Sequence, residues 1–218
     1  MATALHTLPD LLRPGLDLVF VGINPGERSA ARGHYYGHPG NAFWRVLSAS
    51  PLIARAVTPE DAAALAQAHP LRIGFTDVVK RVLTDSTGIT DLELREAAFA
   101  FRARIAASRP RTVCFTSTRS FAAIYPVVWR ARAWGRQPVP PLEGAEVWVR
   151  PSPSGRAAAY HGETTGVLAS LAAALRGSRS EPEPIPPPSS RGGKRGEMLG
   201  VEPPVAPGRA TPRRRARA

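Results

Sequence analysis

The chain has 218 residues, with 29 Lys+Arg against 17 Asp+Glu, five His and one Cys, for a net charge of +12. One cysteine excludes an intramolecular disulfide, a four-cysteine zinc site and a four-cysteine iron–sulfur cluster built from this chain alone. The basic excess points to an anionic partner, nucleic acid first and a membrane surface second, and no apolar run approaches the ~20 residues of a membrane-spanning helix. The opening MATALHTLPDLLRPG has neither the basic start nor the apolar stretch of a secretion signal, so the expected compartment is the reducing cytoplasm.

In chain order, residues 18–23 (LVFVGI) are β-branched and aromatic and are stopped by Asn24-Pro25-Gly26, which predicts a buried strand running into a turn. Helical spacing follows at 41–48 and 59–69. Residues 71–75 read as a second strand, 92–108 as a helix, 112–116 as a third strand, 120–125 as a helix and 147–149 as a fourth strand. A last helix is expected at 164–175. Strands alternating with helices predict an α/β fold with a short, mainly parallel sheet covered on both faces. Ligands of such sheets sit outside the carboxyl ends of the strands. Beyond residue 176 the composition changes to prolines and basic residues with few large apolar side chains. That stretch buries too little to offset the cost of ordering its backbone. The expected organisation is a folded domain over 1–176 and a disordered basic tail over 177–218.

Three strand ends carry unusual residues. The first reads Gly22-Ile23-Asn24-Pro25-Gly26, then Gly33-His34-Tyr35-Tyr36-Gly37-His38-Pro39-Gly40-Asn41-Ala42-Phe43-Trp44. The second reads Gly74-Phe75-Thr76-Asp77-Val78-Val79-Lys80-Arg81, and the third Arg150-Pro151-Ser152-Pro153-Ser154-Gly155-Arg156. Glycine and proline at these points permit tight turns and close approach of backbone N–H groups to a ligand. Each alone could be a plain turn. Their joint placement after strands of one sheet sets them apart.

These stretches resemble the mismatch-specific uracil/thymine DNA glycosylases, the Mug branch of the uracil-DNA glycosylase superfamily. The likeness rests on Gly22-Ile23-Asn24-Pro25-Gly26 with its extension to Phe43-Trp44, and on the loop 151–155. It covers about residues 18–175. It implies a three-layer α/β/α fold and a metal-free, cofactor-free, monomeric hydrolase that cleaves the N-glycosidic bond of uracil in double-stranded DNA, notably opposite guanine, as a step of base excision repair. One departure stands in the second motif, where the family usually has Asn-Pro-Ser-Gly and this chain has Ser152.

The resemblance implies roles residue by residue. Asn24 corresponds to the family's water-holding amide, a group that can donate and accept at once; an Asx-type turn is the plain alternative. Asp77 stands where some relatives use a carboxylate to activate water and offset the cationic sugar, and where an ordinary helix N-cap is the alternative. Tyr36 aligns with the aromatic that stacks on the extruded base, with Tyr35 as competitor. Main-chain groups at Ile23, Asn24 and Tyr36 are candidates to read the base. Ser152 and Ser154, with Gly155, are expected against phosphates, and Arg156 as a wedge replacing the flipped base or as a phosphate contact. Asn41, Phe43 and Trp44 are expected to pack beneath the loop, and His34, His38 and His161 to be loop histidines without metal-ligand spacing.

A bifunctional lyase needs an amine nucleophile, and the only lysines are Lys80 and Lys194. A nucleotide-binding enzyme is disfavoured because neither GxxxxGK[ST] nor GxGxxG occurs. The remaining competitor is a catalytically weak or dead damaged-DNA-binding module of the same fold.

Overall fold

A computed structural model of the chain describes residues 6–67, 70–126 and 134–177. The apolar runs form β1 (Leu18–Gly22), β2 (Ile73–Asp77), β3 (Thr112–Phe115) and β5 (Glu146–Val149), joined by a two-residue edge strand, β4 (Gly135–Arg136). They make one sheet in the order β2-β1-β3-β5-β4. All pairings are parallel except β4 with β5. The helices are α1 (Glu27–Arg32), α2 (Phe43–Ser48), α3 (Ala62–Gln67), α4 (Asp91–Ser108), α5 (Thr118–Ile124) and α6 (His161–Gly177).

Every residue of β1, β2 and β3 is buried, so these strands need apolar side chains on both faces. Alternate residues supply them. Leu18, Phe20, Ile73, Phe75, Cys114 and Trp148 pack with α2, α3 and α6 on one face. Val19, Val21, Val113, Phe115, Val147 and Val149 pack with α4 and α5 on the other. The result is three layers, α/β/α. Burying a side chain such as Phe20 contributes about 2 kcal/mol, and its ring also meets Phe43 edge-on at 5.0 Å. Local signals agree: the Thr90 hydroxyl accepts from Glu93 N at the start of α4, and the Ser117 hydroxyl from Arg119 N at the start of α5. Among the described residues no helix is long and apolar enough to cross a membrane.

Chain reversal at the sheet centre creates the site. The chain goes from β1 to β2 on one side, then passes to β3 on the other. The carboxyl ends of β1, β2, β3 and β5 therefore open onto one crevice.

Several elements differ from expectation. β2 runs to Asp77, two residues beyond the predicted 71–75, because Thr76 and Asp77 are buried although polar. The helix expected over 59–69 is a 3-10 turn (Pro59–Asp61) leading into α3, with 68–69 outside the described residues. α1 and β4 were not anticipated. A 3-10 segment (Gly155–Tyr160) leads into α6, which begins at His161 and runs to Gly177, one residue past the expected domain end. The rest of the expected tail, 178–218, lies outside the described residues.

Candidate functional site

A cleft of about 490 Å³ opens at the carboxyl ends of the strands. Ile23, Asn24, Tyr36, Asp77, Ser152, Ser154, Gly155 and Arg156 all line it. Four separate stretches of sequence thus meet at one place.

The first wall is the turn after β1. Its carbonyls are zipped to the segment after β2: Val78 N donates to Gly22 O, Val79 N to Ile23 O and Leu83 N to Pro25 O, at 3.1, 2.9 and 3.1 Å. The Asn24 side chain joins the same seam. Its Nδ2 donates to the carbonyls of Pro25 (3.0 Å), Arg81 (3.3 Å) and Leu83 (3.5 Å). The donor half of the amide is therefore committed to the loop, which differs from an amide that both donates to and accepts from a water. No donor among the described residues reaches Oδ1, which remains an acceptor held in a fixed direction.

Asp77 stands beside it. In the parallel register it faces Gly22, and a Cβ on residue 22 would overlap Asp77 Oδ1. Glycine at 22 leaves room for that close approach. Asp77 is 3% exposed and its Oδ2 has no hydrogen-bond partner among the described residues. No helix starts here, so the N-cap alternative is overturned: Asp77 ends a strand and leads into an irregular segment. Burial pushes its pKa up to about 7, with Asp10 acting in the same direction and Lys80 and Arg104 opposing.

Behind Asp77 lies a polar cluster that the sequence reading missed. Asp10 Oδ1 accepts from Thr76 Oγ1 at 2.5 Å and from Lys80 Nζ at 2.9 Å, and Asp10 Oδ2 lies 3.1 Å from Arg104 Nε. Asp10 comes from the N-terminal segment, which is bound along the edge of β2 through the Leu11–Phe75 bridge. Nothing in its local sequence marks it. Arg104 also donates to the Asp77 carbonyl at 2.8 Å.

Tyr36 forms the floor at φ 52°, a left-handed conformation uncommon for a bulky residue. Its ring stacks on Phe43 at 4.0 Å and 13°, and its hydroxyl lies 3.2 Å from Thr116 Oγ1. Tyr35 is tied into the core instead, donating to Pro9 O at 3.1 Å and stacking on Phe75. The residues beneath serve the scaffold: Asn41 Oδ1 accepts from Phe43 N, and Trp44 Nε1 donates to Tyr35 O.

The far wall is the loop after β5. Ser152 Oγ and Ser154 Oγ lie 3.3 Å apart, and Pro153 O accepts from Ala42 N, fastening this loop to the Tyr36 loop. Arg156 reaches across to Asp85 in a bidentate pair of 3.1 and 2.8 Å, both side chains being exposed. His38 accepts from Gly40 N, His161 lies against Ser154 O and His34 approaches Glu60. Among the described residues no group of three or more His, Cys, Asp or Glu side chains is placed to hold a metal ion. Arg150, at the base of the loop, is a second residue the sequence reading passed over, since arginine in a basic chain reads as surface.

Chemically, the cleft offers a directed carbonyl acceptor and a proton-accepting carboxyl at the ends of two paired strands. It adds an aromatic floor and a hydroxyl-rich rim. The Uracil DNA glycosylase superfamily profile matches residues 9–176, which hold all five strands and the entire cleft apart from Leu8. Among solved structures, the chain is similar to a solution structure of a Methanosarcina acetivorans protein provisionally named a uracil DNA glycosylase. The two share 21% identity over 77% of this chain and 98% of that one, with a TM-score of 0.49. On the extent of the profile match, this chain belongs to the uracil DNA glycosylase superfamily.

Proposed function

We propose that the protein is a monofunctional glycosylase of the mismatch-specific branch. It releases uracil from double-stranded DNA, notably opposite guanine, and leaves an abasic site for base excision repair. The observation that carries this reading is that Asn24 and the buried Asp77 line one cleft at the ends of two paired strands.

In this reading Asn24 Oδ1 accepts a hydrogen bond from the attacking water, aiming its oxygen at the sugar C1′. Asp77 takes the proton as the C–O bond forms. The glycosidic electron pair departs with the base, which leaves as an anion. An ionised Asp77 also offsets the positive charge that develops on the sugar. Tyr36 supports the extruded base by stacking, worth ~1–3 kcal/mol, and main-chain groups at Ile23 and Tyr36 read its edge. Ser152 and Ser154 donate to phosphates, with Gly155 allowing close approach of the strand, while Arg156 fills the space the base leaves. Lyase chemistry is disfavoured because Lys80, the sole lysine of residues 1–176, is engaged by Asp10 and Tyr35.

A labelled duplex with one G·U pair tests the proposal. Incubation with excess protein is expected to give free uracil and an alkali-sensitive strand. Tight binding without base release would favour the damaged-DNA-binding alternative, to which the Ser152 departure lends some weight.

A further inference from the structure

Arg150 follows the last residue of β5 and is 0% exposed, one of the largest fully buried side chains in the molecule. Its Nε donates to Pro151 O at 3.2 Å, and its two terminal nitrogens have no hydrogen-bond partner among the described residues. The guanidinium lies 5.3 Å from the centre of the Phe43 ring, which stacks on Tyr36. The ionisable groups facing it are Cys114 and Tyr36, neither a carboxylate. Burial pulls its pKa down to about 10, so it remains charged at neutral pH. A buried cation without a counter-ion is costly, and an apolar side chain of the same volume is often as stable or more so. Packing alone gives no reason for it. On the glycosylase reading, negative charge arises nearby, on a base resting against Tyr36.

We propose that Arg150 is a positioning residue which, through the Phe43–Tyr36 stack, holds the cleft floor at positive potential and so stabilises the departing base as an anion. This rests on the glycosylase reading above. Arg150 neither gains nor loses a proton: the base keeps the glycosidic electron pair, and the water proton goes to Asp77. The field acts over several ångströms through a water-poor interior, where charges are weakly screened. Phe43 and Tyr36 transmit position, and Arg150 supplies charge.

The test uses leaving groups of nearly equal size but different anion basicity, uracil and 5-fluorouracil, in the same G-opposed duplex under single-turnover conditions. Arg150→Met is expected to slow uracil release about tenfold and 5-fluorouracil release much less, because the better leaving group needs less stabilisation. Arg150→Lys is expected to bring the ratio of the two rates back towards wild type. Equal slowing of both bases, or an unchanged ratio, overturns the proposal and leaves Arg150 a scaffold residue. Should Arg150→Met fail to fold, the wild-type protein decides through binding of free 5-fluorouracil. Affinity is expected to rise as the base ionises, measured above the titration of Asp77 and below that of Arg150. Flat or falling affinity overturns the proposal. Absence of uracil release by the wild-type protein would instead defeat the glycosylase reading itself.

Discussion

At Asn24 and Asp77 the local geometry states what each substitution removes. Asn24→Ala deletes the directed acceptor, and excision is expected to slow ~10²–10⁴-fold while affinity for a G·U duplex is largely kept. Single-turnover rates beside equilibrium binding check this; parallel losses in both would make Asn24 a loop fastener. Asp77 carries a pH signature. In the proposed mechanism the proton acceptor must be ionised, so excision is expected to rise with pH through about 7, and Asp77→Asn to be slow and flat across that range. Stability runs the other way. Because folding raises the carboxyl's pKa, its favourable contribution is complete at acid pH, below the unfolded value, and is lost as pH rises through about 7. Asp77→Asn is therefore expected to raise the melting temperature at pH 8 and to do little at pH 4. Thermal scans at both values read the difference.

Between elements, the loops after β2 and β5 are joined across the cleft mouth by Asp85 and Arg156. The hydrogen bonds from Arg156 hold the Asp85 carboxyl well below the usual carboxylate range. On the proposed reading, Arg156 must exchange that partner before it can enter DNA. Asp85→Asn is expected to tighten duplex binding up to about fivefold, a scale set by exposed ion pairs; weaker binding would mean that Asp85 has a role of its own. Arg156→Ala is expected to impair excision from a stable pair more than from a loose mismatch, which a matched set of duplexes would reveal. Elements whose burial is apolar were legible in sequence: strands 18–23 and 112–116 and helix 92–108 each lie within two residues of their observed ends. β2 was read short since Thr76 and Asp77 are buried polar residues, which hydropathy takes for solvent. α1 was missed because its sequence is mostly polar and buries only Ser29. Asn24, Asp77 and 152–156 were legible as residues at strand ends, and Tyr36 through the family resemblance. Asp10 and Arg150 were not, since only the fold makes one of them a neighbour of Asp77 and the other a buried cation.

Over the whole chain, the basic excess includes nine Lys and Arg in residues 178–218. Deleting that stretch is expected to weaken binding to undamaged duplex and to flatten its salt dependence, by roughly 0.9 in logarithmic slope for every phosphate that is no longer neutralised. Excision at saturating protein is expected to be unchanged, and a collapse there would move part of the catalytic unit beyond Gly177. The sheet that anchors the site also constrains how this chain can change by descent. With adjacent strands ~4.8 Å apart, a methyl group on residue 22 would meet Asp77 Oδ1 at 2.1 Å, so the carboxyl must shift to make room for it. A lineage that gives up the acid can afterwards accept alanine at 22 freely, whereas the reverse order first displaces the carboxyl from its present place. Once alanine is in place, a returning acid finds its present position filled. The crowding between these two positions therefore acts as a ratchet, and loss of this carboxylate is easier to inherit than its recovery.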